Sequence, residues 1–183
     1  MREERAFTEL VVRYQAPMFN LCYRMLGNAA EAEDIAQETF VKAFQAIGRF
    51  RGDSSLGTWL YRIAVNLSKN RLKYLGRRHY GASSAIDAVP ERAWTRSSRP
   101  TLGESAAGPE QALEGSRAES RVQQALASLD SEFRELLVLR DIQGLSYAEV
   151  VRVTGLPEGT VKSRLHRARA ALRKAFDALE GEG

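Results

Sequence analysis

Trp59, Arg62, Asn66, Lys69 and Lys73 follow one another at spacings of three and four, so a helix through them carries all five on one face. That face joins an aromatic ring, an amide and three cations, and no acidic residue occurs between positions 59 and 80. Cations track a phosphate backbone, an aromatic stacks on or wedges beside an unpaired base, and an amide hydrogen-bonds a base edge. The chemistry is that of grasping a melted strand. Trp59 alone would serve equally well as a core residue; the stripe as a whole favours nucleic acid. A second set lies near the C-terminus. Lys162, Ser163, His166, Arg167, Arg169 and Arg173 project from a helix whose other stripe, Val161, Leu165, Ala168, Leu172 and Ala175, is apolar. A short helix from Ser146 to about Thr154 and the turn Gly155-Leu156-Pro157-Glu158-Gly159 precede it, which makes a helix-turn-helix candidate, favoured over a generic amphipathic helix with a solvated basic face because turn, short helix and basic face agree. The first residues of such a second helix reach base edges in a major groove while flanking Arg and Lys hold phosphates.

The charge layout agrees with these two sets. The formal net charge is only +4 over 183 residues, but residues 59–80 carry +6 and residues 158–174 carry +5, diluted by acidic chain elsewhere. Concentrated positive blocks suit phosphate backbones, because each neutralised phosphate releases a bound counterion. Enzyme chemistry is not supplied by any motif. Gly52-Asp53-Ser54-Ser55-Leu56 falls short of a nucleophile elbow, no glycine-rich loop ends in Gly-Lys-Ser/Thr, and His79 and His166 have no evident acid partner. With Cys22 the only cysteine, neither a disulfide framework nor a Cys/His zinc site is expected, and no metal or cofactor is implied. Cys22 lies on an apolar helix face and reads as packing. No run of eighteen apolar residues exists and the first residues, Met1-Arg2-Glu3-Glu4-Arg5, do not resemble a signal peptide. The expected address is cytoplasmic, without membrane insertion.

The elements that must position these residues are helical throughout, so the predicted class is all-α. Phe7, Leu10, Val11 and Tyr14 mark a first helix. Pro17 suits the first turn of a second, with Met18, Leu21, Cys22 and Met25 inward. A third runs from about Glu31 to Ile47, with Ala32, Ala36, Phe40, Ala43 and Ile47 inward, and a fourth from about Leu56 to Leu75 with Leu60, Ile63, Ala64 and Leu67 buried. These close one small bundle over residues 1–80. Periodicity fails over residues 81–115, rich in Ser, Gly, Pro and Arg, which read as an extended, flexible linker with Trp94 as its one large apolar group. Helicity resumes near Ala118, and residues 116–183 form a second small bundle containing the helix-turn-helix. Glu31, Glu33, Asp34 and Glu38 on the third helix form a solvated acidic face or a hard-cation site.

Three stretches resemble the second region of bacterial sigma factors of the extracytoplasmic-function (ECF) group, sigma-E type. They are Asp34-Ile35-Ala36-Gln37-Glu38-Thr39-Phe40-Val41-Lys42-Ala43-Phe44, Arg51-Gly52-Asp53-Ser54-Ser55, and Thr58-Trp59-Leu60-Tyr61-Arg62-Ile63-Ala64-Val65-Asn66. Gly144-Leu145-Ser146-Tyr147-Ala148-Glu149-Val150 and Pro157-Glu158-Gly159-Thr160-Val161-Lys162-Ser163-Arg164-Leu165 resemble the fourth region. The resemblance covers both bundles in order and leaves out the linker. It implies a non-enzymatic initiation factor that binds core RNA polymerase, directs it to promoters and nucleates melting. By the same resemblance, Asp34, Gln37, Glu38, Phe40, Val41 and Lys42 would dock on the coiled coil of the largest polymerase subunit, with the flap as a further polymerase contact. Phe50, Arg51, Asp53 and Asn66 would hold a flipped-out base of the minus-ten element, and Trp59, Arg62, Lys69 and Lys73 would contact its strand. Lys162, Ser163, His166 and Arg167 would read the minus-thirty-five element, with Arg140 near its backbone. The linker would thread toward the RNA exit path, and an anti-sigma protein would cover the polymerase-binding surfaces.

Overall fold

A computed structural model describes residues 2–82 and 109–181, and among these residues the chain is all-helical. The first helix, α1, runs unbroken over Arg2–Leu26 with Pro17 inside it. The spacing predicts two helices parted by Pro17, so this is a correction. Its physical reason lies in the stripe Phe7, Leu10, Tyr14, Met18, Leu21, Met25, which keeps steps of three and four across the proline. Burying that one continuous face outweighs the single hydrogen bond a proline withholds. Gly27, at φ 74°, ends α1 in the left-handed conformation that a side chain resists.

Helix α2 spans Ala29–Ala46, and Asn28 caps it, its side-chain oxygen accepting from the Glu31 amide at 3.0 Å. Ile47, predicted to point inward, instead starts a short 3-10 turn, Ile47–Arg49, and is 38% exposed. Helix α3 covers Leu56–Ala82, longer than the span predicted from its apolar stripe. Ser55 precedes it, its hydroxyl accepting from the Thr58 amide at 3.1 Å. Gly57 lets α3 approach α1, because a Cβ there would lie 2.7 Å from the Tyr14 hydroxyl oxygen. Met18, Leu21, Cys22 and Met25, then Ala32, Ile35, Ala36 and Ala43, then Leu60, Ala64 and Val65 form the core of this bundle. Ile63 and Leu67 pack at its rim, only partly covered.

The second bundle begins with α4, Pro109–Ala127, nine residues earlier than the periodicity suggests. Pro109 fits a first helical position, where no amide partner is needed, so the Gly108-Pro109 pair marks a helix start that reads equally as loop. Helices thus enter the 81–115 span from both sides. Helix α5, Ser131–Leu137, passes into a π-turn over Val138–Ile142, in which the Gln143 amide donates to the Val138 carbonyl at 2.9 Å. Helix α6, Tyr147–Thr154, starts on a reciprocal capping box of Ser146 and Glu149 and ends at Gly155, φ 73°. Helix α7, Glu158–Gly181, follows. Leu126, Leu136, Leu137, Leu139, Val150, Val161, Leu165 and Ala168 are buried together, as the predicted inward stripe of α7 requires. Leu172 stays at the rim of that core.

Candidate nucleic-acid interface

The aromatic-cationic stripe of α3 is largely presented to solvent. Arg62, Asn66 and Lys73 are exposed and Trp59 is half-buried. The Trp59 ring is not free on both faces: its centroid lies 5.2 Å from that of Phe50, tilted by 45°. Phe50 follows the 3-10 turn, and Arg51 and Asp53 lie exposed in the loop beyond it, where Gly52 takes φ 76°. Loop and helix are tied by Ser55, whose hydroxyl lies 2.8 Å from that of Thr58. An aromatic pair, two loop charges and an exposed amide therefore border one surface. Lys69 differs from its neighbours on the stripe. Its ammonium donates to the carboxylate of Glu135 on α5 at 2.8 Å.

The helix-turn-helix surface is built on α7. Lys162, Ser163, His166 and Arg167 are all exposed and occupy its first turns, while Val161, Leu165 and Ala168 anchor the opposite side. The Ser163 hydroxyl donates to the Thr160 carbonyl at 3.1 Å, and the Lys162 ammonium pairs with Glu158 one turn earlier at 2.6 Å. That hydrogen bond to Glu158 raises the Lys162 pKa above the usual lysine range. Arg169 is held by Asp141 in a two-pronged contact at 2.9 and 2.7 Å, which raises its pKa further. Arg167 borders an open hollow of about 420 Å³ together with Asp130, Ser131, Phe133 and Arg164. Arg140, in the π-turn, donates to the Leu145 carbonyl at 3.0 Å and lies over the Tyr147 ring, 4.9 Å from its centroid. The Lys162 ammonium lies 5.4 Å from the same centroid. Tyr147 thus joins Arg140 to the residues of α7, a role that sequence spacing did not single out, although cations and an aromatic in neighbouring elements are a recognisable combination.

The third surface is on α2. Asp34, Gln37, Glu38, Val41 and Lys42 are exposed along one side, Phe40 is half-buried, and Glu38 pairs with Lys42 at 3.3 Å. Phe44, absent from the predicted set, is 58% exposed beside Val41 at 55%, and packs edge-on against Phe7. Its position three residues after Val41 and four after Phe40 was the available signal. Glu31, on the acidic side of α2, is ion-paired with Arg71 of α3. Among the described residues no group of three His, Cys, Asp or Glu side chains is placed to hold a metal ion, and no helix is long and apolar enough to cross a membrane. Cys22 is fully buried, and burial pushes its thiol from its ordinary 9.0 up to about 12. Trp94 and the path of the linker lie outside the described residues.

Fold and surfaces together define an all-α protein with one helix-turn-helix and a separate aromatic-cationic helix face. Residues 10–78 match Sigma-70 region 2 and residues 119–172 match Sigma-70, region 4. The RNA polymerase sigma-H factor of Pseudomonas aeruginosa is 41% identical over 177 residues, 97% of this chain and 89% of that one. The ECF RNA polymerase sigma factor SigW of Bacillus subtilis is 37% identical over 177 residues, 97% of this chain and 92% of that one. In fold, the chain is similar to the sigma factor RpoE solved in complex with the anti-sigma factor NepR from Bartonella quintana. That match has a TM-score of 0.70 at 22% identity and covers 94% of this chain and 98% of that one. The chain belongs to the sigma-70 family, in its ECF group, and is an alternative-sigma initiation factor that directs RNA polymerase to promoters.

Proposed function

We propose that the chain divides this task among its three surfaces and carries out no bond chemistry of its own. Residues 1–80 dock on core polymerase through Asp34, Gln37, Glu38, Phe40, Val41 and Lys42, at the coiled coil of the largest subunit, and Phe44 extends that contact. The same domain receives the minus-ten element. Phe50, Arg51, Asp53 and Asn66 hold an unstacked base, while Trp59, Arg62, Lys69 and Lys73 follow the strand, so that capture of the base nucleates melting. Residues 116–183 read the minus-thirty-five duplex through Lys162, Ser163, His166 and Arg167, with Arg140 near a phosphate, and reach the polymerase flap. Residues 81–115 connect the two. The observation that carries this division is that two cationic surfaces stand on two different bundles of one chain, one with an aromatic-amide face for unpaired bases and one with a recognition helix for duplex.

A working site on polymerase and promoter DNA makes the protein cytoplasmic. A partner that covers the polymerase-binding surfaces is an anti-sigma protein, in keeping with the similar fold of a sigma factor solved with one. Transcription in vitro with core polymerase on a randomised promoter library tests the proposal. Initiation that depends on this chain, with two sequence elements enriched among the active templates, is the expected result. Binding to duplex DNA with no dependence on polymerase would instead mark an autonomous helix-turn-helix regulator.

A further inference from the structure

Residues 158–174 of α7 carry six Lys and Arg side chains, and three of them are answered by carboxylates of this chain: Lys162 by Glu158, Arg164 by Glu132 and Arg169 by Asp141. The three pairs differ in kind. Lys162 and Glu158 are both exposed and stand one turn apart on the same helix, a pair that contributes little and yields its cation readily to another anion. Arg164 is half-buried and, two residues after Lys162, lies off the face that Lys162 presents. Arg169 is on that face, because Lys162, His166, Arg169 and Arg173 follow one another at steps of four, three and four. Its Nε and Nη2 donate to the two carboxylate oxygens of Asp141 at 2.9 and 2.7 Å, and the Tyr147 side chain is a further hydrogen-bond partner. Asp141 belongs to the π-turn and Tyr147 to the first turn of α6, so one guanidinium of the recognition helix is gripped from two other elements.

A duplex phosphate competes poorly for a cation held in this way. A planar guanidinium offers a carboxylate and a phosphate the same two-pronged fit, so transfer of Arg169 from one to the other gains no geometry. The transfer would also leave the Asp141 carboxylate bare beside a polyanion, where like charges repel. Each phosphate that a side chain does neutralise adds a fixed increment to the salt dependence of binding and to the affinity for duplex of any sequence. Arg169 is therefore a cation on the DNA side that adds nothing to that count.

We propose that Asp141 is a positioning residue that keeps Arg169 as a strut between the π-turn and the recognition helix and withholds it from the DNA backbone, so that α7 engages fewer phosphates than its charge allows. The proposal rests on reading α7 as the helix that meets minus-thirty-five duplex, and its test separates the two. Asp141→Asn keeps the size of the side chain and removes its charge, Asp141→Asn with Arg169→Gln also removes the released cation, and Asp141→Glu keeps a carboxylate. Holoenzyme formed with each chain is titrated over a salt series against two labelled upstream duplexes, one carrying the minus-thirty-five sequence enriched from the promoter library and one with that sequence scrambled. Asp141→Asn should steepen the slope of log K against log salt by about 0.9 and tighten binding about fivefold at 0.15 M salt, on both duplexes alike, the values for one added phosphate contact to B-form DNA. The double variant and Asp141→Glu should return to the unaltered slope. A purely structural role for Asp141 predicts weaker binding with no steepening. An unmoved slope in Asp141→Asn would overturn the proposal, as would a steep slope that survives Arg169→Gln, since the gain would then not come from Arg169. Should Asp141→Asn fail to fold by circular dichroism, Arg169→Gln alone decides: an unchanged slope is expected, and a slope flattened by about 0.9 would show Arg169 on a phosphate in the unaltered chain and overturn the proposal. Equal binding of both duplexes by unaltered holoenzyme would overturn base reading by α7, while a steeper slope in Asp141→Asn would still place Arg169 among the withheld cations.

Discussion

Arg62 and Lys73 allow the strand contact to be tested as a count of charges. Both are exposed on α3 and neither has a carboxylate partner among the described residues, so each is available to neutralise one phosphate. For single strands each such contact contributes about 0.7 to the slope of log K against log salt. Removing one by Arg62→Gln or Lys73→Gln should flatten that slope by about 0.7. If counterion release is the whole contribution, affinity at 0.15 M salt falls about fourfold, and the double variant about fifteenfold with a slope change near 1.4. The assay is anisotropy of a labelled fork-junction promoter bound by holoenzyme, titrated over a range of salt. Equal slopes for all three variants and the unaltered chain would refute the assignment, whatever happened to the affinity. A loss of affinity without a change in slope would mean that these side chains act through packing.

Asn66→Ala should impair promoter melting, measured by permanganate reactivity, while polymerase binding stays nearly intact; unchanged reactivity removes Asn66 from base capture. Arg167→Ala should weaken binding of upstream duplex by roughly 1–3 kcal/mol and relax specificity at one position if Arg167 reads a base, whereas a uniform loss over all sequences marks a phosphate contact. Phe44→Ser should weaken the association of the chain with core polymerase, followed by native gel titration, and leave the thermal midpoint nearly unchanged, because the side chain is 58% exposed. Hydrogen bonds from the Ser146 hydroxyl and then its amide, with Thr58 adding a third, hold the Glu149 carboxyl below the usual glutamate range. A depressed folded-state pKa stabilises at pH above the unfolded value and is lost as pH falls through the folded one. Glu149→Gln should therefore flatten the acid limb of a urea-unfolding series and leave its slope between pH 7 and 8 as it was.

The apolar periodicity made most of the helices legible, because α3 and α7 each bury one face and the other is polar. The same periodicity accounts for the Pro17 error. A local rule about proline was set above a stripe that continues through it, and in a helix packed on several neighbours the stripe wins. The π-turn at Val138–Ile142 had no such signal. A wider turn is chosen by how the apolar residues on either side, Leu136 to Leu139 and Leu145, fit the core, and single residues do not encode it. Yet it sets the direction of Arg140 and brings the guanidinium over Tyr147. The two sigma regions were recognisable from motif order; the pairing of Trp59 with Phe50 was not, since a loop separates them.

Glu135 marks the boundary of what one sequence discloses. It stands among Phe133, Leu136 and Leu137 as an ordinary acid at the edge of an amphipathic helix, and hydropathy assigns it to solvent. In the folded chain it is almost fully covered, and its carboxylate accepts from Lys69, 66 positions earlier on another bundle. Periodicity states which face of a helix is apolar. It is silent on which polar side chain will be covered by a second domain, because that depends on a contact between two surfaces that each look soluble alone. A carboxylate taken out of water needs a cation or several donors, and Glu135 finds that cation in Lys69 of the other bundle.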